Sequence, residues 1–209
     1  MNKTKAKNSE RSKSEAKTEA ILKGAIKEFL KGGYAATSMD KVAKTAKVSK
    51  ATVYSHFGDK ESLFNAVMQD LARDKFQTVM GLDEPQSLNE DPQKVLSVMA
   101  TRMLDNAKSD RNFQNFIRII IGESGRFPEL AQAYVNNLAK PAMETLTQYF
   151  QSHPELKIED PEATVRVMMG SLVYFVMLQE MLRGKESLPL ADERLVNTLT
   201  NMITQKNSQ

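Results

Sequence analysis

Residues Thr37 to Phe64 read TSMDKVAKTAKVSKATVYSHFGDKESLF, and the rest of the chain is best understood from them. The stretch predicts two short helices joined by a tight turn and followed by the start of a third. Ser38 is placed to cap the first helix, since a Ser oxygen accepts from backbone N–H groups left unpaired at a helix start. Met39, Val42, Ala43 and Ala46 then keep the three-and-four spacing of a buried face. Lys47-Val48-Ser49 breaks that rhythm, and Ser49 can cap a second helix. In that helix Val53 and Phe57 point inward together, while Lys50, Ala51, Thr52, Tyr54 and Ser55 face outward. Gly58-Asp59 is a stop followed by a new cap, and Lys60-Glu61-Ser62-Leu63-Phe64 opens the next helix.

A short helix that is polar outside, apolar inside and crossed by a second helix is how a helix-turn-helix enters the DNA major groove. The small Ala43 permits close approach of the pair, and Val48 plugs the turn. The run resembles the DNA-binding domain of TetR-family transcriptional regulators. The resemblance rests on Phe29, Gly33, Tyr34, Thr37, Ser38, Met39, Val42, Ala43, Ala46, Val48, Ser49, Thr52, Tyr54, His56, Phe57, Lys60, Glu61 and Leu63, spread over residues 16 to 68. One position departs from the family pattern: Lys47 stands where the family has Gly at the turn. A left-handed helix end costs a non-Gly residue about 1–2 kcal/mol. Either the turn is built differently, or Lys47 offsets that cost with a phosphate contact.

Position on the motif sorts the DNA candidates by task. Lys50, Ala51 and Thr52 open the second helix and fall nearest base edges. Lys can donate to guanine, and Ala51 and the Thr52 methyl can meet a thymine methyl. Thr37, Ser49, Tyr54, His56 and Lys60 suit phosphates, through hydroxyls, a ring nitrogen, an ammonium or a helix N-terminus. Ser55 lies on the same outward face. The family uses matching positions in these roles.

Charge agrees with this. The 209 residues carry a net charge of +3, but residues 1–60 hold 14 Lys and Arg against 6 Asp and Glu, a balance of +8. The remainder balances at −5. A polyanionic partner for the first part is the economical reading. Residues 1–15 are poor in apolar side chains and read as a disordered basic arm, with Lys3, Lys5, Lys7, Arg11 and Lys13 available to phosphates or the minor groove. An amphipathic helix follows from Ala16 to Lys31 and ends at Gly32-Gly33.

Beyond Leu63 the helix continues to about Val79. A polar, acidic loop follows from Gly81 to Pro92, and the chain is expected to divide into a helix-turn-helix domain (16–68) and a helical regulatory domain (69–209). Helices are expected at about Pro92–Ala107, Arg111–Ser124, Pro128–Gln151, Pro161–Arg183 and Ala191–Thr204. No segment alternates as a strand would. The chain therefore reads as all-α, with about nine helices.

Two features of the larger part carry functional content. Glu162–Arg183 is apolar almost all round and must be covered on several sides. Together with Leu190, Leu195, Leu199 and Met202 of the last helix, its Gly170, Ser171, Tyr174 and Leu178 suggest a dimerisation face, which closes a four-helix bundle across a two-fold axis. Ten of the 12 Met lie beyond residue 60, and a Met-rich interior adapts to apolar ligands of differing shape. The resemblance implies a small-molecule effector among these helices. Met99, Met103, Phe116, Ile120, Met143, Met169 and Phe175 are the candidate lining, and Arg118 or Glu123 can meet a polar group.

Zero Cys and two His exclude disulfides and thiolate sites, leave no histidine metal cluster, and fit a reducing cytoplasm. No run approaches 18 uncharged apolar residues, so no membrane partner is expected. Neither a nucleophile–base pair nor a Gly-rich phosphate loop is evident, so no catalytic function and no cofactor is expected. The expected partners are a double-stranded palindromic operator, an effector and a second copy of the chain, as in a repressor. The competing reading is an architectural or recombination protein that uses the same motif without an effector.

Overall fold

The computed structural model describes residues 2–80 and 91–204, and the described residues contain no strand. The expected loop at Gly81 to Pro92, apart from its last two residues, lies outside them. Among the described residues ten α-helical segments run in order: α1 (Asn2–Ala36), α2 (Met39–Ala46), α3 (Lys50–Phe57), α4 (Lys60–Met80), α5 (Pro92–Ser109), α6 (Arg111–Glu123), α7 (Pro128–Tyr134), α8 (Lys140–Gln151), α9 (Pro161–Val176) and α10 (Asp192–Thr204).

Helix starts follow side-chain chemistry. Ser38 Oγ accepts from Lys41 N, Ser49 Oγ from Thr52 N, and Asp59, Asp91, Asp110 and Asp160 cap α4, α5, α6 and α9 in the same way. Pro92 and Pro161 then occupy the first turn, where a missing N–H costs nothing.

Three elements differ from the sequence reading. Helix α1 begins at Asn2 rather than Ala16, because nothing between Asn2 and Gly24 breaks a helix. It is broken at Gly33 (φ 76°, ψ 179°), as the paired glycines imply. The single helix expected over Pro128–Gln151 is interrupted by a π-helical turn at Val135–Ala139. Pro141 sits in the first turn of α8, where it cannot donate to Asn137, and the wider turn absorbs that loss. A second π turn, Met177–Met181, extends α9.

The chain divides into two compact units, one formed by the chain up to Leu71 with Asn115–Asn137, the other by Ala72–Gln114 with the chain from Leu138 onward. In the first, α1 packs on α2 and α2 on α3. Its core is aromatic: Phe29 meets Phe64 edge-on at 5.3 Å and Phe116 at 6.2 Å, and Tyr34 meets Phe127 at 5.1 Å. Gly24 lets α1 approach α2 closely, since a Cβ there would lie 3.0 Å from the Ala46 backbone nitrogen. In the second unit, α5 packs against α9 and α10, and α8 against α9, around Leu96, Leu104, Leu146, Met168 and Leu172.

Pro161–Met181 is, by length and composition, long and apolar enough to cross a membrane, which the sequence reading did not anticipate. Val165, Met168, Leu172, Phe175 and Val176 on this helix are nonetheless buried in the second unit's own core.

Candidate nucleic-acid interface

The turn between α2 and α3 is a complete Schellman motif. Lys47 sits in the left-handed region at φ 56°, ψ 39°. Its N–H donates to Lys44 O, and the Val48 N–H donates to Ala43 O at 3.1 Å. Half-buried Val48 packs on the first core. The turn is therefore built in the ordinary way, and Lys47 bears the conformational cost with its side chain exposed.

Helix α3 buries Val53 completely and turns Lys50, Ala51, Tyr54 and Ser55 to solvent. Tyr54 is 44% exposed. The Lys50 ammonium is 2.8 Å from the Asp40 carboxylate on α2 and 5.7 Å from the Tyr54 ring. The hydrogen bond to Asp40 holds Lys50 above its ordinary pKa. Ser49 and Thr52 hydroxyls lie 2.7 Å apart, and Ser55 donates to Thr52 O.

Three expected phosphate groups are otherwise engaged. Thr37 is buried at 4% exposure and donates its hydroxyl to Gly33 O at 2.7 Å. Lys60 turns inward, donating to Tyr34 O at 2.9 Å with its ammonium 4.3 Å from the Tyr34 ring. Burial lowers the Lys60 pKa, while Glu123 and Glu129 act against that shift. His56 is half-buried and shares a 3.0 Å hydrogen bond with the Thr18 hydroxyl of α1. The exposed set is thus Lys47, Ser49, Lys50, Ala51, Tyr54 and Ser55, with Thr52 at its inner edge.

The effector candidates do not share one core. Phe116 and Ile120 belong to the aromatic core of the first unit. Met99 and Phe175 lie in the second core, with Met103, Met143 and Met169 packed against it. Buried in the same core, Tyr149 has a hydroxyl with no hydrogen-bond partner among the described residues, and burial pushes its pKa up to about 12. A cavity of about 350 Å³ is lined by Phe175, Gln179, Leu190, Asp192 and Arg194 among others, so Phe175 is the one candidate that reaches it.

On α9, Val167 (62% exposed), Gly170 and Tyr174 (58%) form an exposed stripe, with half-buried Ser171 beside it. Leu178 is also half-buried. Leu199 is 7% exposed and turns into its own core, and Leu195 packs beside it, so these two offer little area to a second chain. Met202, which the sequence reading places at this face, is 72% exposed on α10.

Comparison with known proteins agrees with this geometry. The pattern of bacterial regulatory proteins of the tetR family matches residues 21–67, and that of the AefR-like transcriptional repressor C-terminal domain matches residues 94–204. The second match alone spans more than half of the chain, and the chain belongs to the TetR family of transcriptional regulators. A Mesorhizobium loti MAFF303099 structure assigned to this family is 26% identical, with a TM-score of 0.75, over 91% of this chain and 96% of that one. The flavonoid-responsive regulator FrrA is also 26% identical, with a TM-score of 0.72, over 90% of this chain and 94% of its own. The Bacillus subtilis (strain 168) HTH-type transcriptional regulator YhgD, itself uncharacterized, is 43% identical over 65 residues, which are 31% of this chain and 34% of YhgD. The chain thus spans about a third of the length of that relative.

Proposed function

We propose that this regulator is a homodimeric repressor that reads a palindromic operator and is released from it by a small, largely apolar molecule. The observation that carries the reading is the outer face of α3. Lys50, Ala51, Tyr54 and Ser55 stand exposed on a short helix whose start is capped by Ser49, with Lys47 beside it on the turn. Lys50 and Ala51 are the base-reading groups of this proposal, and Lys47, Ser49 and Tyr54 the phosphate-binding ones. The exposed α9 stripe of Val167, Gly170 and Tyr174, with Met202 of α10, supports pairing of two copies across a two-fold axis. Two identical reading heads then require a palindrome.

The Met-lined second core and the flavonoid-responsive relative support an aromatic, mostly apolar effector. Such a ligand acts by population shift: it lowers operator affinity only by its differential affinity for the dimer conformation that does not fit DNA. The site of action is the cytoplasm, where the operator lies.

The test is selection of bound duplexes from a random pool at physiological salt, with Lys50→Ala and Tyr54→Phe beside the parent chain. The expected product is a palindrome, relaxed at one position per half-site by Lys50→Ala and uniformly weakened by Tyr54→Phe. Binding that follows only salt, with no enriched sequence, refutes the reading and points to an architectural role.

A further inference from the structure

The junction between α1 and α2 is held by a residue almost ninety positions away. Gly33 breaks α1, so the next N–H groups lose their helical acceptors and must find others. Those of Tyr34 and Ala35 donate to the two carboxylate oxygens of Glu123, at 3.0 and 2.9 Å. The Tyr34 carbonyl accepts from Lys60 Nζ at 2.9 Å. An anion from α6 and a cation from α4 thus grip one short piece of backbone from its two sides. Gly33 is what admits the carboxylate: its φ of 76° sets the turn, and a Cβ there would lie 2.3 Å from Glu123 Oε1.

Glu123 completes one face of α6 with Phe116 and Ile120, at three-and-four spacing. The latter two are buried in the aromatic core shared with Phe29 and Phe64. The Gly33–Ala36 turn leads directly into Ser38 and Met39, which open α2, and α2 carries the Lys47 turn. We infer that Glu123 is a positioning residue for DNA reading, locking the start of α2 to α6 so that the arrangement of α6 and operator binding are linked. Because linkage is reciprocal, operator binding must in turn tighten α6. This inference rests on the regulator reading above.

The experiment is amide hydrogen exchange on the full chain, with and without the selected duplex, for the parent, Glu123→Ala and the isosteric Glu123→Gln. In the parent, DNA slows exchange at least about threefold in peptides covering residues 34–37 and 116–123, besides protecting α3 directly. Glu123→Ala keeps protection of α3 but loses the DNA-dependent change in α6. Glu123→Gln, which retains one acceptor oxygen, shows an intermediate change and serves alone if the alanine variant does not fold. Unchanged α6 exchange in the parent, or a full DNA-dependent change in either variant, overturns the inference. If the parent selects no duplex at all, the regulator reading fails first, and this inference falls with it.

Discussion

Lys47 offers a substitution in which stability and DNA affinity move in opposite directions. Its backbone is left-handed, at φ 56°, with every hydrogen bond of the Schellman turn in place. A side chain in that region costs about 1–2 kcal/mol, which Gly does not bear. Glycine also frees the unfolded chain, which takes back about 0.4–1 kcal/mol. Lys47→Gly is therefore expected to stabilise the protein by about 0.5–1 kcal/mol, which raises Tm by about 1–4 °C for a chain of this length. The same change removes an exposed ammonium from the edge of the reading face. Each phosphate contact contributes about −0.9 to the slope of log affinity against log salt, so a dimer that loses two contacts becomes shallower by about 1.8.

Lys47→Ala separates the two effects, since it keeps a Cβ in the left-handed region and removes only the charge. It is expected to leave Tm unchanged while flattening the salt dependence as much as Lys47→Gly does. The assays are thermal unfolding followed by circular dichroism, and operator titration at several salt concentrations. Destabilisation by Lys47→Gly refutes the account of the turn. An unchanged salt slope in both variants refutes the phosphate contact and leaves Lys47 without a functional return for its strain.

Other outcomes follow from single contacts. Gly33→Ala forces a Cβ against Glu123 Oε1 at a φ of 76° and is expected to cost about 2–3 kcal/mol in urea unfolding; a cost below about 1 kcal/mol would show that the turn relaxes freely. Gly24→Ala gains about 1 kcal/mol of helix propensity but presses on the Ala46 backbone at 3.0 Å, so a net loss of about 1 kcal/mol is expected, and a rise in Tm would contradict the close approach of α1 and α2. For Asp110, burial raises the pKa, but the Lys75 and Phe113 hydrogen bonds outweigh it and hold the folded value below the ordinary one. Its contribution is therefore complete above an ordinary carboxylate pKa of about 4 and is lost as pH falls through the lower folded value. The Tm difference between the parent and Asp110→Asn should accordingly shrink below about pH 4, and a difference that does not change with pH would refute the assignment. Tyr174→Asp places a charge on the exposed α9 stripe and is expected to shift sedimentation from dimer to monomer without lowering helicity.

The residues that could be read from the sequence are those whose partners lie within a turn or two. Ser38, Ser49 and Asp59 announce caps because each acts on an N–H three residues ahead. Val53 is inward for the same local reason, and the exposure of Lys50, Ala51 and Tyr54 follows from it. What could not be read depends on distant chain. Lys60 looks like an exposed first-turn lysine until Tyr34 and Phe127 surround it, and nothing near Asp40 signals that it pairs with Lys50 ten residues on. Phe116 and Ile120 show helical spacing equally suited to either core, so periodicity alone could not assign them to the first.

Glu123 is the extreme case, and it shows why the illegible residues matter most for regulation. A regulator needs its reading helices held by groups that can be repositioned, and groups within the motif itself cannot supply that, because they move with it. The grip must come from elsewhere in the chain, at a sequence separation with no periodic signature. Glu123 meets the Tyr34 N–H across 89 positions, while Lys60 meets the Tyr34 carbonyl across 26. The motif's own spacing specifies a shape that fits DNA, whereas the distant carboxylate decides how firmly that shape is held. A helix-turn-helix cut out at its sequence boundary would keep its caps and lose this hold, so its affinity for the operator is expected to fall even where its helicity does not.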